Sequence, residues 1–418
     1  MSLGPSRHSQ LIATSDEEPL WLTIGDGYGY VPWRPGTIVD MPERKLEVLR
    51  KLGWGGYSSV WLCRVSSAFG RGTYPTKYVA VKVLTANASY MVGRGLMAEL
   101  TVMKSIMSKN TKHPGFQFCS HLHDYFVHRS EKSYHVCLVT DVHGPSLSEM
   151  GLQQPNRSFS VQQTKRIIKQ ILLALDYLHR DCKVVHTATD MTSRNVLFRL
   201  ENADSIVEQY LEKQPAQYYS LSAPDGSSES IVGSKSQPLF DHFPVQHVGD
   251  FSVILIDYNS ATPNTKRLVD NVQTPSYQAP EVLLGYPWST PIDVWSVGCL
   301  VSDCLVGVCP FDLKPGTQHG MSQDDIRLQG MRQILGPFQL ELLEKCTRGK
   351  DYFSEEGALL RVGSFQYPAL ELLLRAHGTI SEAEAKEAAA FMRRCMSIDP
   401  ATRPSASELL EDEWLADN

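Results

Sequence analysis

Gly53-Trp54-Gly55-Gly56-Tyr57-Ser58-Ser59-Val60 is followed, 29 residues after Gly53, by Lys82 in the apolar run Val79-Ala80-Val81-Lys82. β-Branched and aromatic residues alternate over 45–64 and again over 78–84, which predicts a small antiparallel sheet around the glycines. That context fits a glycine loop carried on strands better than a phosphate loop opening a helix. Taken alone, Gly-x-Gly is equally an ordinary hairpin turn. Lys82 in a strand-like apolar run needs a partner for its charge, and Glu99, 17 residues further on in a helix-periodic stretch over 98–108, can supply one. A purely structural ion pair, or a lysine that snorkels out of the sheet, is the alternative.

Two later strings carry carboxylates. Asp190-Met191-Thr192-Ser193-Arg194-Asn195 holds a D-x-x-x-x-N spacing between the apolar pairs Val184-Val185 and Val196-Leu197. Val253-Ile254-Leu255-Ile256-Asp257 reads as a buried strand ending in a carboxylate, which is how a metal ligand is delivered into a cleft. Either aspartate alone would more commonly be a cap or turn residue. Between these strings, His135 to Thr140 reads as a buried strand leading into a hinge-like Asp141-Val142-His143-Gly144, and 160–178 has the apolar spacing of a helix.

In this order the strings resemble the signature set of eukaryotic protein kinases. The fold implied is α+β and bilobal, with a small antiparallel β-sheet lobe and a larger, mainly α-helical lobe. Phosphoryl transfer gives a protein little covalent work: it positions phosphates, neutralises their charge with metal and lysine, and orients the acceptor hydroxyl. The resemblance implies ATP and Mg2+ as cofactors. Gly53, Gly55 and Gly56 would let the backbone approach the phosphates, Val60 would pack over the adenine, and Lys82 with Glu99 would hold the α- and β-phosphates. Asp190 is expected as the catalytic base, with Asn195 and Asp257 as metal ligands. Trp54, Ala80, Thr140, Asp141, His143 and Leu197 complete the expected nucleotide pocket, Thr140 at its back. Ala279-Pro280-Glu281, Asp293-Val294-Trp295 and Arg403 match structural strings of the large lobe, Arg403 being offered to Glu281 as a partner.

The resemblance narrows to the SR-protein kinases, especially their shorter fungal members, over residues 45–415. Its carriers are Lys51-Leu52-Gly53-Trp54-Gly55 with Ser59-Val60-Trp61-Leu62, His135-Val136-Cys137-Leu138-Val139, Leu175-Asp176-Tyr177-Leu178-His179, and His186-Thr187 where most kinases have His-Arg. A Gly-Tyr-rich arm over 27–35 and a short insertion between Val196 and Val253 agree. The family phosphorylates Arg/Ser-rich proteins, so basic protein substrates are the expected partners, with no direct nucleic acid or membrane contact and a monomeric state.

Departures matter as much. Asp190 follows His186-Thr187-Ala188-Thr189, two residues further along than in the family, so the loop must bulge. The family's lysine two positions after the aspartate is Thr192, with Arg194 nearby as a substitute cation. Asp-Leu-Gly becomes Asp257-Tyr258-Asn259. Thr189 stands where an arginine would receive a phosphorylated activation loop, so constitutive activity is expected. The acidic docking groove of the family is represented by Asp324-Asp325, which read equally well as an acid-rich helix N-terminus. A kinase-fold scaffold without useful transfer is the competing class.

Composition sets the outer bounds. With 418 residues and 42% hydrophobic content the chain can build two lobes, and a net charge of −6 leaves room for a basic substrate. Nine scattered cysteines without a CxxC pair suit a reducing compartment, and the first twenty residues lack a secretory apolar stretch; the expected location is the cytoplasm, with the nucleus also open. VWSVGCLVSDCLVGVCPF at 294–311 has the length of a short membrane span, but Asp303, Gly307 and Pro310 favour a buried core helix. The expected organisation is an irregular arm over 1–44, a small lobe and hinge over 45–143, and a large lobe over 144–418 with a polar loop insertion at about 200–250.

Overall fold

The computed structural model describes residues 16–41, 44–67, 76–131, 133–187, 192–222, 230–239, 251–264, 272–312 and 320–416. The chain divides into two compact units: Met1–Lys104, Ser120–Pro145 and Arg199–Gln246 form one, and Ser105–Cys119, Ser146–Phe198 and His247–Asn418 the other. The fold is α+β, a sheet unit and a larger, mainly helical unit, as the resemblance implies.

In the smaller unit, β1 (Ile38–Met41), β2 (Arg44–Gly55), β3 (Ser58–Ser67), β4 (Tyr78–Leu84), β5 (Asp124–Arg129) and β6 (Tyr134–Thr140) form an antiparallel sheet of order β1-β2-β3-β4-β6-β5. Successive strand side chains alternate faces. Trp61 and Cys63 of β3 and Val79, Val81 and Val83 of β4 therefore join one apolar core with Leu46, Val48 and Val139. Leu62, Tyr78 and Ala80 join a second core on the opposite face.

That second core corrects the expected organisation. The stretch read as a polar loop of the large lobe contains the helix Ala203–Lys213 and the antiparallel strands Tyr218–Ser222 and Ser230–Ser234, and it groups with the sheet unit. Val207 and Tyr210 are buried against Tyr78, Ala80 and Leu62. Asp204 accepts hydrogen bonds from the Lys77 N–H at 3.0 Å and the Tyr78 N–H at 3.3 Å, and Arg50 donates to the Gln214 carbonyl at 2.7 Å. A polar sequence hid this because a few apolar side chains, Val207 and Tyr210 of the helix among them with Leu200 and Leu239, cover the sheet.

The described part of the arm, from residue 16, also packs and carries regular structure. Its residues 38–41 are β1, and Trp33 is buried with its indole N–H on His128 Nε2 at 3.2 Å. Glu17 and Glu18 both pair with the fully buried Lys51 of β2, and Glu17 accepts from the Ser236 N–H at 2.5 Å. The arm, the strand leading into the glycines and the insertion thus share one buried charge cluster.

The larger unit is organised on the helix Val161–Arg180, whose apolar stripe is buried and whose N-terminus carries a Ser160–Gln163 capping box. The apolar run read as a buried core helix is the helix Pro291–Val306, buried along most of its length, with Asp303 accepting from the Tyr277 hydroxyl at 2.7 Å. Gly298 permits its close crossing with the helix Glu382–Cys395, since a Cβ there would lie 2.5 Å from Met396 Cγ. Among the described residues no helix is long and apolar enough to cross a membrane. All nine cysteines are free and buried.

Candidate active site

The glycines occupy a tight hairpin between β2 and β3, with Gly53 opposite Val60 and Gly55 opposite Ser58. Among the described residues, a Cβ added at Gly53, Gly55 or Gly56 would meet no heavy atom within 4 Å. Packing inside the protein therefore does not demand glycine at these positions, and the bare backbone faces room for a ligand to approach. Trp54 donates its indole N–H to the Asp16 carbonyl at 3.3 Å, so it braces the hairpin against the arm.

Strand register gathers the expected pocket residues on one face. Val60 pairs with Lys82, and Ala80 with Thr140, and antiparallel partners point to the same side. Val60, Ala80, Lys82 and Thr140 consequently share a face. Lys82 Nζ lies 2.6 Å from Glu99 Oε1, at the first residue of the helix Glu99–Ser108, with Glu99 2% exposed. At the hinge, burial pushes the Asp141 carboxyl up, but the hydrogen bond from His123 at 2.6 Å and the surrounding imidazoles outweigh it and hold the carboxyl below its usual range. Burial lowers His143 to about 4, the Asp141 charge opposing the shift. Among the described residues neither His143 ring nitrogen has a hydrogen-bond partner.

The larger unit supplies the second group. The strands Val196–Arg199 and Val253–Leu255 pair antiparallel, Leu197 opposite Ile254, and the Ile256 N–H donates to the Asn195 carbonyl at 3.0 Å. Asn195 and Asp257 therefore stand at the adjoining ends of paired strands. Asp257 takes a left-handed backbone, φ 64°, which turns the chain out of the strand. Among the described residues no cluster of three or more His, Cys, Asp or Glu could hold a metal alone. An amide and a carboxylate are hard oxygen donors, a set that fits Mg2+ held largely by substrate phosphates. Asp190 lies outside the described residues.

Sequence reading passed over what anchors this unit. Asp293, fully buried, accepts from the His186 N–H at 2.8 Å and the Thr187 N–H at 3.0 Å, and contacts His179 Nε2 at 2.8 Å. Asp293-Val294-Trp295 was visible as a string, but its bonds to residues more than a hundred positions away carry no local signal.

Of the two readings of Asp324-Asp325, the helix N-terminus is realised. Ser322 caps the helix Gln323–Leu335 with Asp325 closing the box, and Asp325 accepts from Arg361 at 2.9 Å. Asp324 pairs with Arg327 and Arg348 and accepts from the Tyr352 hydroxyl at 2.9 Å.

The model of the protein kinase domain matches residues 46–208 and 245–415, and the chain belongs to that family. It is a protein kinase, a phosphotransferase, and its domain is related to the SRPK and LAMMER-type kinases. Similar proteins include the serine/threonine-protein kinase SRPK of Physarum polycephalum, 28% identical over 93% of this chain and 89% of that one. The protein kinase dsk1 of Schizosaccharomyces pombe is 26% identical over 93% and 84%, respectively. A solved kinase domain superposes with TM-score 0.64 at 22% identity, covering 93% of this chain and 99% of that chain, a likeness of fold.

Proposed function

We propose that this protein is a Mg2+- and ATP-dependent serine/threonine kinase that phosphorylates serine in Arg/Ser-rich proteins and needs no activating phosphorylation. The observation that carries the reading is the Lys82–Glu99 ion pair on the sheet face shared by Val60, Ala80 and Thr140. A lysine held by a buried carboxylate is a fixed positive charge beside an apolar surface, which suits the phosphates and base of one nucleotide. Gly53, Gly55 and Gly56 would admit the phosphates, with Trp54 bracing their hairpin. Asp141, His143 and Leu197 would contribute to binding the base. Asn195 and Asp257 would hold the metal, which supplies charge neutralisation when bound, and Asp190 would accept the proton of the acceptor hydroxyl.

The substrate class rests on the SR-protein kinase strings and on a relative named serine/threonine-protein kinase SRPK. The internal pairing of Asp324 and Asp325 leaves less acidic charge for a basic partner than the family resemblance implies. We place the protein in the cytoplasm, with the nucleus open, as a monomer. The longer loop before Asp190 and Thr192 in place of lysine motivate a second reading, a kinase-fold scaffold without useful transfer.

The test is transfer of labelled γ-phosphate from Mg-ATP to an Arg/Ser repeat peptide, with Asp190→Asn and Asp257→Ala proteins beside the native one. Transfer by native protein that both substitutions abolish supports the kinase reading. No transfer, to this peptide or to a mixed protein extract, selects the scaffold.

A further inference from the structure

Thr187 carries a conformation its side chain disfavours. Its φ is 62°, in the left-handed region where a β-branched residue is strained, and glycine or asparagine would sit there at lower cost. It is also fully buried. The backbone is held in place by Asp293, which takes the Thr187 N–H at 3.0 Å. Backbone geometry alone therefore gives no reason for threonine.

The hydroxyl gives one. Thr187 Oγ1 donates to the Ser260 carbonyl at 2.6 Å, across 73 residues of sequence. His186, the preceding residue, reaches the Ile256 carbonyl through Nε2 at 3.2 Å and packs edge-on against Tyr258, ring centroids 5.4 Å apart. Asp257 is thus bracketed: one residue before it and three after it, carbonyls are held by the side chains of the adjacent residues His186 and Thr187. Between the brackets, Tyr258 is fully buried with its hydroxyl on the Leu255 carbonyl at 2.8 Å, and the Ala261 N–H closes a turn on the Tyr258 carbonyl at 3.1 Å.

We propose that Thr187 is a positioning residue, its hydroxyl tethering the Ser260 carbonyl so that the left-handed turn at Asp257 presents its carboxylate in one fixed direction. This deepens, and rests on, the reading of Asp257 as a metal ligand. A tether made by an unmodified, buried side chain is present as soon as the chain folds, which is consistent with activity that needs no switch.

The experiment measures the Mg2+ dependence of ATP binding by titration calorimetry, alongside transfer kinetics, for native protein and Thr187→Val, Thr187→Ser and Thr187→Gly. Valine keeps shape and β-branching but removes the donor; serine keeps the donor; glycine removes the donor and relieves the backbone. Expected are a half-saturating Mg2+ concentration raised by about tenfold in the valine and glycine proteins, the scale of one lost buried hydrogen bond, and a return to within about twofold of native in the serine protein. If valine disrupts folding, the glycine protein decides, since it suits the backbone. A glycine protein that folds and binds Mg2+ and ATP as native does would overturn the proposal. Native protein that binds ATP with no Mg2+ dependence would instead overturn the metal reading beneath it.

Discussion

Arg403 Nη1 lies 2.7 Å from Glu281 Oε1, and neither side chain exposes any surface, although 122 residues separate them. The guanidinium also donates to the Pro291 carbonyl at 2.7 Å and the Ser397 carbonyl at 2.8 Å and lies over the Trp295 ring, so its donors are used from several directions. Breaking a pair of this kind strands a buried charge. Arg403→Met should cost about 3–5 kcal/mol of folding stability, read from chemical denaturation. Adding Glu281→Gln should recover part of the loss; a double variant no more stable than the single one would refute the ion pair as the cause.

Lys82 and Glu99 should divide unequally in catalysis. Lys82 would touch the phosphates while Glu99 acts through it, so Lys82→Met should lower kcat/KM by about two to three orders of magnitude and Glu99→Gln by about one. Steady-state transfer kinetics check the order. Equal losses would mean that Glu99 does more than orient its partner.

His143 should make the fold acid-sensitive. Its folded-state pKa is lowered from 6.5 to about 4, chiefly by burial, with Asp141, Arg199, His121 and His123 as the charged or titratable neighbours. Between those values the unfolded chain binds a proton that the native state refuses. The contribution is therefore complete above about pH 6.5 and is lost as pH falls toward 4. The part lost between pH 7 and pH 5 is on the order of 2 kcal/mol. Denaturation midpoints at pH 7 and pH 5 should converge in His143→Leu relative to native; an unchanged difference would assign the sensitivity elsewhere.

Arg348 partly neutralises Asp324, at 3.3 Å and with both side chains partly exposed. Arg348→Ala should leave that carboxylate more available and lower the KM for an Arg/Ser peptide by about twofold to threefold at low salt, the scale of an exposed ion pair. The gain should vanish at high ionic strength. A KM that rises would mean that Arg348 holds the surface in shape rather than masking its charge.

Much of this was legible from the chain alone, where local rules apply. Period-two alternation around the glycines located β2, β3 and β4, and the spacing of Ile167, Ile168, Ile171, Leu172 and Leu175 located the helix Val161–Arg180. Lys82 and Glu99 could be paired because a charge in an apolar strand requires a partner, and few lie within reach.

What the sequence determined by itself was the set of strings, their order and the elements that carry them, because periodicity and turn chemistry act over a few residues. Tertiary structure decided which groups are consumed by others. It turned the polar 200–250 stretch into a cover for the sheet through Val207 and Tyr210, and it used Asp324 and Asp325 on neighbouring arginines. It also brought the hydroxyl of Thr187 to Ser260. Each depends on burial and hydrogen-bond satisfaction between distant segments, and no pattern within either segment encodes the distance between them.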